Sequence, residues 1–117
     1  MIRKILYITA TSIEAEAIIN VVGLKANSAK TGYRYNEMDI DLLVAGVGAV
    51  ATTWNMSKWL SLNNPPCLAI NAGIAGTFNP LIEIGDVVMP VSDCFAVDRN
   101  WSPGTLVYNL SARITCF

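Results

Sequence analysis

Residues 67–76, CLAINAGIAG, join a run of apolar residues to a loop of small ones. Positions 67–72 are apolar apart from Asn71, which predicts a strand buried on both faces, as in a sheet covered by helices. Two glycines, Gly73 and Gly76, follow three positions apart. Because the loop that they bound carries almost no reactive side chain, we interpret it as a place where the backbone itself binds a ligand.

Strand and helix patterns alternate on both sides of this stretch. The motif Thr11-Ser12-Ile13-Glu14 is typical of a capping box that opens a helix, and Gly23 is a typical stop for that helix. The other predicted elements are strands at 4–9, 32–35, 41–47 and 84–89, a helix at 50–62 and a break at 63–66. This order predicts an α/β fold, with a mixed, largely parallel sheet flanked by helices.

Three loops are expected to meet at the carboxyl ends of the parallel strands, where such sheets bind ligands. They are residues 10–14, 46–48 and 73–76. In Gly46-Val47-Gly48 the free N–H groups of the following helix would suit an oxygen-rich ligand, although tight packing of the helix on the strand explains the glycines equally well. The segment lacks the third glycine of a dinucleotide fingerprint, and no Walker lysine follows.

Glu14 is the candidate catalytic side chain at this edge. Reciprocal capping of Thr11 would by itself explain a glutamate at this position. Its place at the end of the first strand also allows a carboxylate to polarise a water there, so both roles stay open.

Composition excludes several classes of function. The chain has 117 residues, enough for one domain, and a net charge of -1 without the basic stripe of a nucleic-acid binder. Histidine is absent, which excludes a histidine base or metal ligand. Cys67, Cys94 and Cys116 stand far apart, so we expect buried reduced thiols in a cytoplasmic protein rather than disulfides or a zinc site. The longest weakly polar run, 42–54, is too short to span a membrane.

Four stretches carry a family resemblance, in the family's order, over residues 4–96. They are KILYITATSIEAEAII, VAGVGAVATT, INAGIAGTFNPLIEIGDVV and DCFA. Together they resemble the N-terminal half of the nucleoside phosphorylase and nucleosidase superfamily. Within it the chain most resembles the futalosine hydrolases of menaquinone biosynthesis, and the methylthioadenosine/S-adenosylhomocysteine nucleosidases are the alternative.

The resemblance implies hydrolysis of the N-glycosidic bond of a purine nucleoside without metal or cofactor. Glu14 matches the carboxylate that orients the attacking water, Val47 matches a residue near the 5′ side of the sugar, and residues 73–76 match the loop against ribose and base. The implied substrate-binding residues are Ala10, Val47, Gly48, Ile74, Ala75 and Gly76. The composition, 53% hydrophobic, is apolar for so short a chain, so the chain either buries surface against a partner or is part of something larger. We expect association, as a homo-oligomer, or poor solubility.

The later half of the family carries a Met-Glu pair that holds the ribose and an aspartate that protonates the purine, and neither motif occurs in these 117 residues. We therefore divide the chain into a nucleosidase-like part, 1–96, and a divergent tail, 97–117, which we hypothesise to be read out of frame. Little or no hydrolysis is expected from such a chain. The alternatives are a short paralogue with its own tail, a nucleoside-binding module without catalysis, or a fragment that binds no ligand.

Overall fold

The structure is a computed structural model that describes residues 3–26, 32–90 and 112–116. Its elements follow the chain in the order β1 (Arg3–Thr9), α1 (Ser12–Val22), β2 (Lys25–Ala26), β3 (Tyr33–Tyr35), β4 (Met38–Val44), α2 (Ala49–Leu62), β5 (Leu68–Ala72) and β6 (Ala112–Cys116).

The strands form one six-stranded sheet in the order β2-β3-β4-β1-β5-β6. Strand β1 lies between β4 and β5 and pairs with both in parallel, while β2, β3 and β6 join through antiparallel pairs. The predicted α/β class with a mixed sheet is thus confirmed, and its parallel part is the central trio β4, β1 and β5. Strand β6 comes from the tail, of which residues 97–111 lie outside the described part of the chain.

The core lies on one face of the central strands. Leu6 is 0% exposed and packs with Ile8 and Ala69, and Met56 and Trp59 of α2 cover this cluster. Burial of these apolar side chains is what holds α2 to the sheet, at roughly 25 cal/mol per Å² removed from water.

A polar contact borders the same face. Lys4 Nζ lies 2.8 Å from Asp41 Oδ2 and 5.1 Å from the centre of a Trp59 ring, which links β1, β4 and α2. Because this pair is partly exposed, it contributes on the order of 1 kcal/mol or less.

The crossovers decide where the loops go. The chain runs from β1 through α1, β2 and β3 to β4 on one side of β1, and from β4 through α2 back past β1 to β5 on the other side. Since such crossovers are right-handed, the two helices lie on opposite faces of the sheet. The loops after β1 and β4 therefore leave the sheet in opposite directions, which opens the crevice typical of ligand sites in this architecture.

The predicted helix boundaries agree closely with the structure. Helix α1 ends at Gly23, whose φ of 67° is left-handed and whose N–H donates to the Ile19 carbonyl. Helix α2 ends at Asn63, where the side-chain amide donates to the Trp59 carbonyl over 2.8 Å. Two prolines follow at 65 and 66 and prevent the helix from continuing.

The prediction of a strand at 84–89 is wrong. In the structure these residues form no regular element; Glu83 N donates to Asp86 Oδ2 over 2.9 Å, and Asp86 N donates back to the Glu83 carbonyl over 3.1 Å. Gly85 has a φ of 100° in this turn. An apolar run becomes a strand only where a neighbouring strand accepts and donates its hydrogen bonds, and the described part of the sheet offers none here.

Two smaller expectations also change. The strand expected at 41–47 lies earlier, at Met38–Val44, because β4 must pair with the full length of β1. Cys67 was expected to be buried, but it is an exposed free thiol just before β5. Cys94 lies outside the described residues.

Candidate active site

The three loops predicted to meet do share one edge of the sheet. Strands β4, β1 and β5 are adjacent and parallel, so their carboxyl ends, and the loops that follow, lie side by side about 5 Å apart. Ala45 N donates to the Thr9 carbonyl over 2.8 Å, which joins the first two loops. Ile74 N donates to Glu14 Oε1 over 3.0 Å, which joins the first and third.

Glu14 is at the centre of this edge because four donors converge on its carboxylate. Its Oε2 accepts from Ala10 N at 3.1 Å, Thr11 N at 2.9 Å and Thr11 Oγ1 at 3.0 Å. Its Oε1 accepts from Ile74 N, 60 positions along the chain. Thr11 Oγ1 in turn accepts from Glu14 N at 3.4 Å, so the predicted capping box is confirmed. Glu14 therefore both caps helix α1 and lies at the candidate site.

These hydrogen bonds hold the carboxyl group in its ionised form. The bond from Ile74 N–H does most to lower the pKa of Glu14, partial burial acts in the opposite direction, and the bonds from Thr11 and Ala10 lower the pKa further. The negative charge of Glu14 also acts on Tyr7 of β1. Burial is the larger cause of the raised pKa of the Tyr7 phenol, and the Glu14 charge is the second. The edge of the sheet thus carries a fixed carboxylate at neutral pH.

Gly73 owes its lack of a side chain to this carboxylate. A Cβ at position 73 would lie 2.5 Å from Glu14 Oε1, a distance that real Cβ atoms essentially never adopt. At Gly76 the space within 4 Å of such a Cβ is open. The sequence interpretation, in which small residues of this loop admit a ligand, therefore fits Gly76, whereas Gly73 already accommodates Glu14.

The loop between β4 and α2 is held from the helix. Asn55 Nδ2 donates to the Ala45 carbonyl at 3.0 Å, and Thr52 Oγ1 donates to the Gly46 carbonyl at 3.4 Å. Gly46 and Gly48 have φ values of 85° and 88°, which favour glycine. A Cβ at Gly46 would lie 3.0 Å from the Ala51 Cβ, so close helix packing also contributes there. Sequence analysis missed Asn55; an amide inside a helix, where asparagine is disfavoured, was the available signal.

The predicted substrate-binding residues divide into two groups. Ala10 and Ile74 bond directly to Glu14. Among the described residues, no hydrogen bond joins the other four to Glu14; these are Val47, Gly48, Ala75 and Gly76. All four are exposed at the same edge of the sheet, and Val47 is 77% exposed.

An open apolar groove lies beside this edge, on the outer face of α2. Its volume is about 410 Å³ and its lining residues are Ala49, Val50, Thr53, Trp54 and Ser57. The groove has no charged or titratable side chain in its lining, so we assign the chemistry to the Glu14 edge and not to this groove.

Within residues 3–26, 32–90 and 112–116, no three side chains of the metal-binding types come together. In the same part of the chain, neither helix combines the length and the apolar character needed to cross a bilayer.

One curated protein shows detectable sequence similarity. It is the 5′-methylthioadenosine/S-adenosylhomocysteine nucleosidase of Buchnera aphidicola subsp. Schizaphis graminum, 34% identical over 62 residues. The match covers 52% of this chain and 26% of the relative, so the chain spans about a quarter of the length of the curated protein that it matches. No family model matches the chain. No solved structure matches it.

This similarity supports the relationship to the nucleoside phosphorylase and nucleosidase superfamily that the four motifs indicate. The relative bears the name of the branch given above as the alternative. The closer likeness to futalosine hydrolases has no support from the comparisons and stays a prediction.

Proposed function

We propose that this chain carries the water-orienting part of a purine nucleoside N-ribosyl hydrolase. The observation that carries the proposal is the ionised Glu14 carboxylate, fixed by four donors at the carboxyl end of the central strand, beside a loop of small residues. The similarity to a nucleosidase supports it at the level of reaction class.

The two carboxylate oxygens differ in how many further hydrogen bonds they can accept. Oε2 already accepts three hydrogen bonds, whereas Oε1 accepts the bond from Ile74. A carboxylate oxygen accepts about two bonds comfortably, so Oε1 is the atom with capacity for a hydrogen of a water. That water would lie between Glu14 and the exposed loop at 74–76.

The proposed reaction is substitution at the anomeric carbon. The water oxygen forms the new C–O bond while the C–N bond to the purine breaks, and the bonding pair leaves with the purine nitrogen, which an acid protonates. The attacking water is strongly acidic once it is bonded to carbon, and it releases its second proton to bulk solvent. The lowered pKa makes Glu14 a weak base, so its role is to hold the water by accepting a hydrogen bond and to stabilise the positive charge that develops on the sugar.

Two substrates are candidates for this site. Futalosine is the one favoured by the sequence motifs, and 5′-methylthioadenosine is the one favoured by the name of the similar protein. The exposed Val47, expected near the 5′ position of the sugar, is the residue whose surroundings would discriminate between them.

The test separates binding from turnover. Each nucleoside is titrated into the ¹⁵N-labelled chain while amide shifts of residues 10–14 and 73–76 are followed, and release of hypoxanthine or adenine is measured by chromatography. We expect binding at these amides with turnover about a hundred- to ten-thousand-fold below that of a complete nucleosidase, because the motif of the aspartate that protonates the purine does not occur in these 117 residues.

Glu14→Gln is the matched variant for this test, and any residual base release should fall further in it. Binding without turnover in either protein would favour the nucleoside-binding module instead. Absence of any shift with both nucleosides and with inosine would refute the proposal.

We also propose that the chain forms homo-oligomers. Helix α2 has one charged residue, Lys58, and its outer face presents Val50, 86% exposed, and Trp54, 72% exposed. Exposed apolar surface of this kind is typical of protein interfaces. Light scattering at increasing concentration is expected to show a mass above 12.6 kDa, and a monomer at all concentrations would contradict this proposal.

A further inference from the structure

Gly73 lies against the Glu14 carboxylate, at the point where the third site loop meets the first. An added Cβ at Gly73 would lie 2.5 Å from Glu14 Oε1, 3.2 Å from Cδ and 3.6 Å from Oε2. The backbone of Gly73 does not require glycine, since its φ is not among the positive values of this chain. The reason for glycine at this position is therefore steric, and the group that needs the space is the carboxylate.

We propose that Gly73 is a positioning residue for Glu14. Its missing side chain lets the next N–H, that of Ile74, reach Oε1 while Oε2 stays on the turn after β1. Gly73 thereby determines the direction in which Oε1 can accept a further hydrogen bond. The catalytic meaning of this position rests on the function proposed above, but the positioning itself does not.

The expected effect of a methyl group at position 73 depends on which neighbouring group can move away from it. Glu14 Oε2 is tied to Ala10 N, Thr11 N and Thr11 Oγ1, all belonging to one turn. The end of a glutamate side chain moves more easily than a backbone segment, so Gly73→Ala should fold. The carboxylate should rotate away from position 73 and lose the Ile74 bond rather than the three local ones.

Gly76→Ala is the matched control. It makes the same substitution in the same loop, at a glycine whose Cβ would meet open space and whose φ is not positive. It should therefore leave the carboxylate of Glu14 where it is.

The experiment is an NMR titration of the ¹⁵N-labelled chain between pH 7 and pH 3, following the amides of Thr11 and Ile74. In the wild type both amides should report one carboxyl group that titrates below the usual range of glutamate. Gly73→Ala should abolish the Ile74 response and raise the midpoint seen at Thr11, because the Ile74 bond is the largest cause of the lowered pKa of Glu14. Gly76→Ala should match the wild type, and Glu14→Gln should remove the step at both amides.

Glu16 on the same helix also carries a carboxylate, so the Glu14→Gln variant identifies which step belongs to Glu14. The phenol of Tyr7 on β1 is the group whose raised pKa records the Glu14 charge, and it titrates at alkaline pH, outside the window used. A Gly73→Ala protein that keeps the Ile74 response with an unchanged midpoint would overturn the proposal. Loss of the response in Gly76→Ala as well would also overturn it, since the effect would then belong to the loop in general.

A second variant keeps the proposal testable if Gly73→Ala does not fold. The double variant Gly73→Ala/Glu14→Asp withdraws the carboxylate by one methylene and should restore folding. Failure of the double variant to fold where Glu14→Asp alone folds would show that the added methyl collides with another group, against the proposal. Because no nucleoside is present in these measurements, positioning can hold even where nucleoside binding fails, and the two results stay distinguishable.

Discussion

Replacing Glu14 by glutamine keeps the size of the side chain and removes its charge. A glutamine amide can offer its oxygen to only one set of donors. If the oxygen stays with Thr11 and Ala10, the NH₂ group faces Ile74 N–H, and the 3.0 Å bond between the loops is lost. The charge near the first turn of α1 contributes about 0.3–1 kcal/mol, and charge-assisted bonds contribute more where they are shielded from water. Because Glu14 is partly exposed, these contributions are weakened by solvent, and we expect Glu14→Gln to lower the free energy of unfolding by about 1–2 kcal/mol.

The assay is urea unfolding at pH 7, with Glu16→Gln as the control for the same chemical change at an exposed position of the same helix. With an m-value of about 1–1.5 kcal/mol/M, Glu14→Gln should lower the midpoint by about 1 M, and Glu16→Gln should hardly move it.

The pH dependence has a defined sign. The folded-state pKa of Glu14 is lowered, so its stabilisation is present above the unfolded pKa, about 4.3, and is lost as pH falls through the folded value. The difference between wild type and Glu14→Gln should therefore shrink below about pH 4. Equal midpoints for the two variants at pH 7, or a Glu14→Gln difference unchanged at pH 3, would refute the reasoning.

Two predictions concern the loop between β4 and α2. Gly46→Ala should lower the free energy of unfolding by about 1–2 kcal/mol in urea, and by more than Gly48→Ala. Both glycines have a positive φ, but only at Gly46 would an added Cβ also lie 3.0 Å from the Ala51 Cβ. A larger loss for Gly48→Ala would contradict this prediction. Asn55→Ala removes the 3.0 Å hydrogen bond to the Ala45 carbonyl and should lower the free energy of unfolding by about 1 kcal/mol. It should also speed amide hydrogen exchange in residues 45–48. Unchanged exchange there would show that the bond does not hold the loop.

Elements whose signals are local were predicted well from the sequence. Helix α1 has its capping box at its first turn and its terminal glycine directly after its last residue, and strand β1 has an uninterrupted apolar run at 5–8. The run at 84–89 is also mainly apolar, although Gly85 and Asp86 interrupt it, and it forms no strand. The difference is that β1 has a partner on each side, and no property of residues 84–89 alone announces whether a partner exists.

The candidate site shows the same division. The sequence by itself determined that Glu14 and Thr11 form a reciprocal cap, because both residues belong to one helical turn. It also determined that small residues follow β5. Only the tertiary structure decided that Glu14 reaches Ile74, 60 positions away, and that Gly73 is small to admit the carboxylate. The physical reason is that parallel pairing of β1 and β5 brings their carboxyl ends together, and a contact between distant loops exists only after the sheet has formed.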